Sequence, residues 1–117
     1  MKKVFVFATL ALAVVVFSNC HGSKKVTSSI PVVKLNYQTN IQTLIAANCT
    51  PCHFPAKGGN KKPFDSYVAA QANIDDMIRR IELNPTDKGF MPFKKPKLSD
   101  STITQFKQWK ADGLLEK

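Results

Sequence analysis

The chain has 117 residues, enough for one domain and no more. It carries 17 basic and 8 acidic residues, a net charge of +9 that favours fast encounters with acidic partners or anionic surfaces, although solubility alone explains any single lysine equally well. These numbers exclude a second folded domain, and 3 cysteines with 2 histidines leave few candidate metal ligands.

The N-terminus has the pattern of an export signal. Lys2 and Lys3 precede an apolar run over residues 4–17, and small and polar residues follow it. As a helix this run spans only about 21 Å, short of the roughly 30 Å hydrocarbon core of a bilayer, which argues against an uncleaved transmembrane anchor. We therefore predict a lipoprotein-type signal peptide at residues 1–19. Export from the cytoplasm makes nucleic acid a poor candidate partner.

The signal ends in Phe17-Ser18-Asn19-Cys20, which resembles a bacterial lipobox, where the cysteine becomes the acylated first residue of the mature protein. The match is imperfect, because Phe17 stands where Leu is common and Asn19 stands where Gly or Ala is common. We expect a protein anchored to a membrane, on the periplasmic side, through lipidated Cys20. Conventional cleavage nearby, which would give a soluble periplasmic protein, is the alternative.

Residues 20–35 are polar and basic without helical or strand periodicity, so we predict a tether that leads to a folded domain at residues 36–117. The first helix is expected to begin near Asn36, which suits an N-cap. Its apolar stripe has the spacing i, i+4, i+7 and i+8 and consists of Tyr37, Ile41, Leu44 and Ile45. The stripe leads directly into a cysteine pair.

The pentapeptide Cys49-Thr50-Pro51-Cys52-His53 has the Cys-x-x-Cys-His spacing of a covalent haem attachment site. Two thiols at this spacing can add to the two vinyl groups of one porphyrin, and the next residue places an imidazole under the iron. We therefore predict one covalently attached haem c, held by Cys49 and Cys52, with His53 as an iron ligand.

Four other interpretations of the motif stay open. A redox dithiol of the thioredoxin type wants a βαβ context, and no convincing strand pattern is present. A zinc site needs four ligands, and outside the motif only Cys20 and His21 remain, both far upstream. A disulfide between Cys49 and Cys52 would close too short a loop to stabilise much, and it leaves the adjacent histidine unexplained. Coincidence is the last, because the motif is only five residues long.

The segment after the motif begins with an exposed loop rich in proline, glycine and lysine. Asp65 is then expected to cap a short helix, and Asn73 to start a second helix that Asn84-Pro85 stops. Met77 lies within the apolar stripe of that second helix. We therefore expect Met77 to pack in the core and not to bind metal.

Residues 87–98 have no helical or strand period, yet they carry Phe90-Met91-Pro92-Phe93 at their centre. A surface loop has no reason to hold such side chains together unless they cover something apolar, and a haem face is such a surface. Met91 can then offer its thioether to the open axial position of the iron, and it is the predicted second ligand. The alternative is that Met91 only packs, with the iron five-coordinate or bound by another group.

The last helix is predicted to open at Ser99, a good N-cap, and Gly113 suits its C-terminal cap. Ile103, Phe106 and Trp109 line one face of this helix. We expect that face to pack in the core, against the first helix.

In this order the pieces resemble a class I cytochrome c of the short bacterial lipoprotein type. The resemblance rests on Tyr37 to His53, on Phe90-Met91-Pro92, and on Leu98-Ser99-Asp100 leading into a helix with Trp109 and Gly113. It covers nearly all of the chain after Val33. It implies an all-α, cytochrome c-like fold of three to four helices around a covalently attached haem, in which the first and last helices cross beside the haem.

The resemblance also assigns roles to residues. It implies thioethers at Cys49 and Cys52, a proximal iron bond from His53 and a distal bond from Met91. By likeness to small cytochromes c, the backbone carbonyl of Pro63 is a candidate acceptor for the other ring N–H of His53.

The function that follows is transfer of single electrons between redox partners. If His53 and Met91 fill both axial positions, substrate cannot reach the iron easily, and no persuasive catalytic pair occurs elsewhere, so we expect no enzyme. Lysines near the proposed ligands are expected to steer a redox partner with an acidic docking surface; they are Lys57, Lys61, Lys62, Lys88, Lys94, Lys95 and Lys97. One alternative is a haem-based sensor or peroxidase-like domain with a labile Met91 bond. Another is a lipoprotein with a plain Cys49–Cys52 disulfide.

Overall fold

The computed structural model describes residues 33–117, so the predicted signal peptide, Cys20 and most of the tether lie outside the described residues. The helices are, in chain order, a π-helical turn (Tyr37–Ile41) that continues into α1 (Gln42–Cys49), a 3₁₀ turn (Pro55–Lys57), α2 (Tyr67–Glu82) and α3 (Asp100–Ala111). Residues 33–117 contain no β-strand, which confirms the predicted all-α class. Within the same residues, no helix is both long enough and apolar enough to cross a membrane.

Side-chain caps define where the first and last helices begin. The Asn36 Oδ1 accepts a hydrogen bond from the Thr39 N–H at 2.8 Å. The Ser99 Oγ accepts one from the Thr102 N–H at 3.2 Å. Both N-caps are as predicted, because a cap depends on residues within one turn of itself and is visible in the sequence.

α2 is a single helix, so the predicted break at Asn73 is wrong. Its N-cap is Ser66, not Asp65, and the Ser66 Oγ accepts a hydrogen bond from the Ala69 N–H at 3.3 Å. Asn73 stays within the helix because its Nδ2 donates to the Ala69 carbonyl, one turn earlier, at 2.8 Å. Met77 of α2 is only 6 % exposed and belongs to the apolar core, which confirms its predicted packing.

The C-terminal residues close the fold onto the first helix. After α3, Gly113 takes a φ of +96°, and the Leu114 N–H donates to the Trp109 carbonyl at 3.0 Å, as in a Schellman cap. The Leu115 carbonyl accepts hydrogen bonds from the Tyr37 N–H at 2.8 Å and from the Trp109 Nε1 at 2.9 Å. The rings of Tyr37 and Trp109 lie 6.0 Å apart, so α3 packs on the first helix as predicted.

The apolar stripes of the three helices meet in one core. Its largest fully buried side chains come from α3 and the first helix, and they are Trp109, Phe106, Ile41 and Ile45. Burying side chains of this size contributes about 1.5–3 kcal/mol each. Phe106 also lines a cavity, and the same cavity is lined by the cysteines and the histidine of the motif.

Candidate functional site

A cavity of about 480 Å³ lies beside the core, in the size range of cofactor sites. Its wall contains Cys49, Cys52 and His53 of the motif, and Met91 from the segment between α2 and α3. The structure therefore brings all four predicted haem-binding residues to one cavity. Much of the remaining wall is apolar and is formed by Phe64, Met77, Ile81, Pro92, Leu98 and Phe106.

Backbone hydrogen bonds fold the motif into a compact turn at the end of α1. The His53 N–H donates to the Cys49 carbonyl at 3.1 Å. The Lys61 N–H, from the following loop, donates to the Cys52 carbonyl at 3.0 Å. These bonds hold the two cysteines and the histidine close together on the same wall of the cavity.

The His53 ring is oriented by a second hydrogen bond. Its Nδ1 lies 2.6 Å from the Lys62 carbonyl oxygen. A carbonyl can only accept, so Nδ1 carries the proton, and Nε2 keeps the lone pair that can bind a metal ion. The predicted acceptor, Pro63, is wrong by one residue. The reason is the turn geometry: the Phe64 N–H pairs with the His53 carbonyl at 3.0 Å, and that register presents the Lys62 carbonyl to the ring.

Phe64 fixes the plane of the His53 imidazole. The two rings are stacked, with centroids 4.2 Å apart and planes inclined by 8°. Phe64 is itself buried in the core, so it cannot move aside without loss of packing. Between the Lys62 carbonyl and the Phe64 ring, the imidazole of His53 is held both in its tautomer and in its orientation.

The two thiols of the motif differ in exposure. Cys49 is half-buried at the end of α1, whereas Cys52 is exposed, and both are free thiols. Burial raises the pKa of the Cys49 thiol to about 11, and the nearby Lys95 ammonium offsets part of that rise. Near neutral pH Cys49 is therefore a protonated thiol, and Cys52 is the more accessible of the two.

The loop after the motif packs against the motif's own backbone at Gly59. A Cβ at this position would overlap the Pro51 carbonyl oxygen and would lie 2.6 Å from the Cys52 carbonyl oxygen. Only glycine fits there without displacing the motif. Gly58, its neighbour, has open space around it and a φ of +79°. Sequence reasoning placed both glycines in an exposed loop and did not identify this contact.

Met91 is joined to α2 through Arg80. The Met91 N–H donates to the Arg80 carbonyl at 3.2 Å. The Arg80 side chain donates from Nη1 to the Gly89 carbonyl at 3.2 Å and from Nε to the Asp76 Oδ2 at 2.8 Å. Near this anchor Phe93 lines the cavity and is 65 % exposed. Arg80 and Asp76 both line the cavity, and sequence reasoning identified neither.

One polar atom of a wall residue has no partner. The Thr50 Oγ1 is buried and makes no hydrogen bond with any residue of the described range. Buried hydroxyl groups are nearly always satisfied by protein, water or a bound molecule. This oxygen is buried within the protein and is not exposed to the cavity, so it offers no group to an occupant of the cavity.

The predicted lysines are only in part on the wall. Lys61, Lys62 and Lys95 line the cavity. Lys94 lies over the Phe93 ring, 5.3 Å from its centroid, and so stays close to the same rim. Three lysine side chains and Arg80 give the cavity a positive surround, partly balanced by Asp76.

No protein-family model, no curated protein and no solved structure matches this chain. Among residues 33–117, no group of three or more His, Cys, Asp and Glu side chains is placed to hold a metal ion. The predicted iron ligands on the cavity wall are of another kind, the His53 imidazole and the Met91 thioether, a pair of groups that occurs in cytochromes c. Met77 is a second thioether on the same wall.

Proposed function

We propose that this protein is an exported, mono-haem c-type cytochrome with a cytochrome c-like fold, which transfers single electrons between redox partners. One observation carries the proposal: Cys49, Cys52, His53 and Met91 all line the same cavity. Cys49 and Cys52 would hold the haem covalently, and His53 and Met91 would bind its iron. Because two distant parts of the chain meet there, coincidence of a five-residue motif is a poorer explanation.

The residues of the cavity fit a haem in volume and chemistry. A porphyrin needs an apolar slot of several hundred Å³, and the cavity of about 480 Å³ has walls from Ile81, Leu98 and Phe106. A haem also carries two carboxylates at its edge. The cationic side chains of the wall are groups that carboxylates can pair with.

When bound, the haem would supply an iron centre that takes up and releases one electron at a time. The chain's own residues supply the rest. The Lys62 carbonyl keeps the His53 proton on Nδ1, and the Phe64 stack keeps the ring in one plane, so Nε2 has a fixed direction. A hydrogen bond from Nδ1–H to a carbonyl also raises the basicity of the ligating imidazole. Apolar walls exclude water, which lowers the local dielectric.

The proposed role is electron transfer and not catalysis, because ligation by both His53 and Met91 leaves no axial position for a substrate. A second candidate deserves a test, a haem-based sensor or peroxidase-like domain in which the Met91 bond is labile. The observation that favours it is the attachment of the Met91 segment to α2 by few contacts, through Arg80 and Lys97. Binding of carbon monoxide to the reduced protein at neutral pH would favour this candidate, and absence of binding would favour electron transfer.

The first experiment is an absorption spectrum of protein produced in a host able to attach haem c. We expect haem bands that remain with the polypeptide after denaturation and organic extraction, and that a Cys49→Ser, Cys52→Ser chain lacks. The native oxidised protein should also have the far-red iron–sulfur band, and Met91→Leu should remove it. A colourless protein despite competent maturation would overturn the proposal and favour a lipoprotein with a Cys49–Cys52 disulfide.

The proposed redox partner has an acidic docking surface, because the cavity rim carries Lys61, Lys62 and Lys95. Charge reversal at Lys62 and Lys95 should slow electron transfer to an acidic redox protein and flatten its dependence on ionic strength. The matched control reverses Lys107 and Lys110, which pair with Glu82 and Asp75 and do not line the cavity. Equal effects of the two pairs would show that only net charge matters.

The proposed location is the periplasmic side of a membrane, with an anchor on Cys20. Cys20 lies outside the described residues, so the support comes from the sequence pattern alone. Metabolic labelling with a fatty acid should mark the protein and should fail for Cys20→Ser. Mass spectrometry of a mature chain without acylation would instead support conventional cleavage.

A further inference from the structure

Arg80 makes two contacts with the segment that carries Met91, one through its backbone and one through its side chain. Its backbone carbonyl accepts the Met91 N–H at 3.2 Å. Its Nη1 donates to the Gly89 carbonyl, also at 3.2 Å. One residue of α2 therefore holds the chain both at Met91 and two residues before it.

The Arg80 side chain is itself held in place. Its Nε donates to the Asp76 Oδ2 at 2.8 Å, one turn earlier on α2. Asp76 also pairs with Arg79. The two arginines differ in what else they reach: in the described part of the chain, the side chain of Arg79 bonds only Asp76, whereas Arg80 goes on to Gly89. Arg80 is also the less exposed side chain, at 35 % against 57 %.

Gly89 is shaped to receive this contact. Its φ is +95°, a conformation that residues with a Cβ rarely adopt, and a Cβ there would lie 3.3 Å from the Arg80 Nη1. The rest of the segment is braced from within, since the Asp87 N–H donates to the Asn84 carbonyl at 2.9 Å and the Phe90 N–H to the Asp87 carbonyl at 3.1 Å. Those bonds shape the turn, but they do not attach it to α2.

A second link to α2 lies further along the chain. The Lys97 Nζ donates to the Glu82 carbonyl at 2.8 Å. Lys97 is exposed and six residues beyond Met91, so it steadies the end of the segment. Arg80 is the link that acts at Met91 itself.

We infer that Arg80 is a positioning residue, which holds the Met91 segment against α2 and so determines how readily Met91 gives way to another ligand. The ligand-exchange part rests on the proposed function; the contact between Arg80 and the segment does not. A guanidinium can bind Asp76 and Gly89 together because Nε and Nη1 are separate donors held in one plane, whereas a lysine side chain has a single nitrogen.

The test compares Arg80→Lys with the matched control Arg79→Lys in the full, matured protein. Two quantities are measured: hydrogen exchange of the Met91 amide by NMR, and the affinity of the oxidised protein for added imidazole, which competes with Met91. Loss of a hydrogen bond from a charged donor is expected to raise both by about five- to tenfold in Arg80→Lys. Arg79→Lys should change neither by more than about twofold, since an exposed pair contributes little.

Equal behaviour of the two variants in both measurements would overturn the inference. If exchange rises along the whole of α2 in Arg80→Lys, Arg80 merely stabilises the helix, and the positioning role fails. If the protein carries no haem, the proposed function fails, and the Met91 exchange rates of the two variants still decide whether Arg80 holds the segment. Gly89→Ala approaches the same contact from the other partner, and it should reproduce the local rise in exchange.

Discussion

The two sides of the cavity are built in different ways. On the side of His53, residues 49–64 are held by bonds within the segment: His53 to Cys49, Lys61 to Cys52, and the imidazole to the Lys62 carbonyl. Phe64 closes the same segment by stacking on the ring. Nearly everything that orients the histidine thus lies within a dozen residues of it along the chain.

On the side of Met91, the supporting contacts come from another element, the helix α2. The segment of residues 87–98 is attached to α2 through Arg80 and Lys97, and Phe93, which lines the cavity, has 65 % of its surface exposed. A segment that a few contacts attach to a neighbouring helix opens at a lower cost than one closed on itself. Under the proposed function, the histidine side would fix the haem and the methionine side would adjust its ligation.

The largest expected effect follows from removing the motif's thiols. A domain of about 80 residues has a marginal core, and here a cavity of about 480 Å³ lies beside that core. Under the proposed function, Cys49→Ser, Cys52→Ser protein would lack the haem, and we expect it to lose most of its helical signal in far-UV circular dichroism. A native-like helical spectrum would contradict this.

The contrasting change on the other side is Met91→Leu. It replaces one apolar side chain by another of similar volume, so helical content and covalent attachment should be kept while the iron–sulfur band is lost. A Met91→Leu chain that unfolds as fully as the double serine variant would remove the distinction between the two sides.

The next effect concerns Gly59 and Gly58. Gly59→Ala forces a Cβ against the Pro51 and Cys52 carbonyl oxygens, so the motif must shift, and we expect the fraction of chains with covalent haem to fall severalfold. Gly58→Ala meets no atom but places a Cβ at a φ of +79°, which costs about 1–2 kcal/mol of stability and should leave attachment intact. Haem staining of denatured protein and urea unfolding measure the two quantities. Equal attachment in both variants would show that the loop yields.

Much of the fold could be predicted from the sequence, because the features concerned are local. Asn36 and Ser99 cap their helices within one turn, and the stripe that contains Trp109 identifies its buried face. Asn73 was misjudged because an asparagine can cap a helix or bond back one turn within it, and only the surrounding packing decides between them.

The candidate site likewise contains residues that the sequence identifies and residues that it does not. Cys49, Cys52 and His53 are contiguous, so their spacing alone points to a chemistry, and Met91 follows from its apolar neighbours in a segment without a period. Arg80 could be seen only as half of an i, i+4 pair with Asp76, since its contact with Gly89 joins residues across a turn that no periodicity describes. Haem attachment itself stays a prediction, because motif and cavity support it without testing it.

A smaller effect is expected on the methionine side from Gly89→Ala. The substitution strains a φ of +95° and crowds the Arg80 Nη1 at 3.3 Å, which costs about 1–2 kcal/mol. Because Gly89 and Arg80 share one contact, the double variant with Arg80→Lys should be less destabilised than the sum of the two single variants. Urea unfolding of all four proteins measures this. Strict additivity would mean that the two residues act independently.

The smallest effect is a pH dependence at Asp76. Hydrogen bonds from Arg80 and then from Arg79 hold the pKa of the Asp76 carboxyl below its ordinary value. A carboxyl group whose pKa is lower in the folded state stabilises the fold fully above its unfolded pKa of about 3.9, and that contribution is lost as pH falls through the folded pKa. Asp76→Asn should therefore lower stability at pH 7, by about 1 kcal/mol or less for so exposed a group.

As the pH falls, the unfolding curves of the parent protein and of Asp76→Asn should converge. The convergence should be accompanied by a lower protection factor of the Met91 amide in the parent protein, its exchange rate being compared with the intrinsic rate at the same pH, because Asp76 orients the arginine that binds the segment. Asp75→Asn is the control. Asp75 lies on the same helix as Asp76, but it pairs with Lys110 of α3, at 2.6 Å, and in the described residues it forms no ion pair with Arg80. If Asp75→Asn alters Met91 exchange as much as Asp76→Asn does, the effect is one of net charge. If only Asp76→Asn does so, the methionine side of the cavity responds to a single carboxylate on α2, the one that pairs with Arg79 and Arg80.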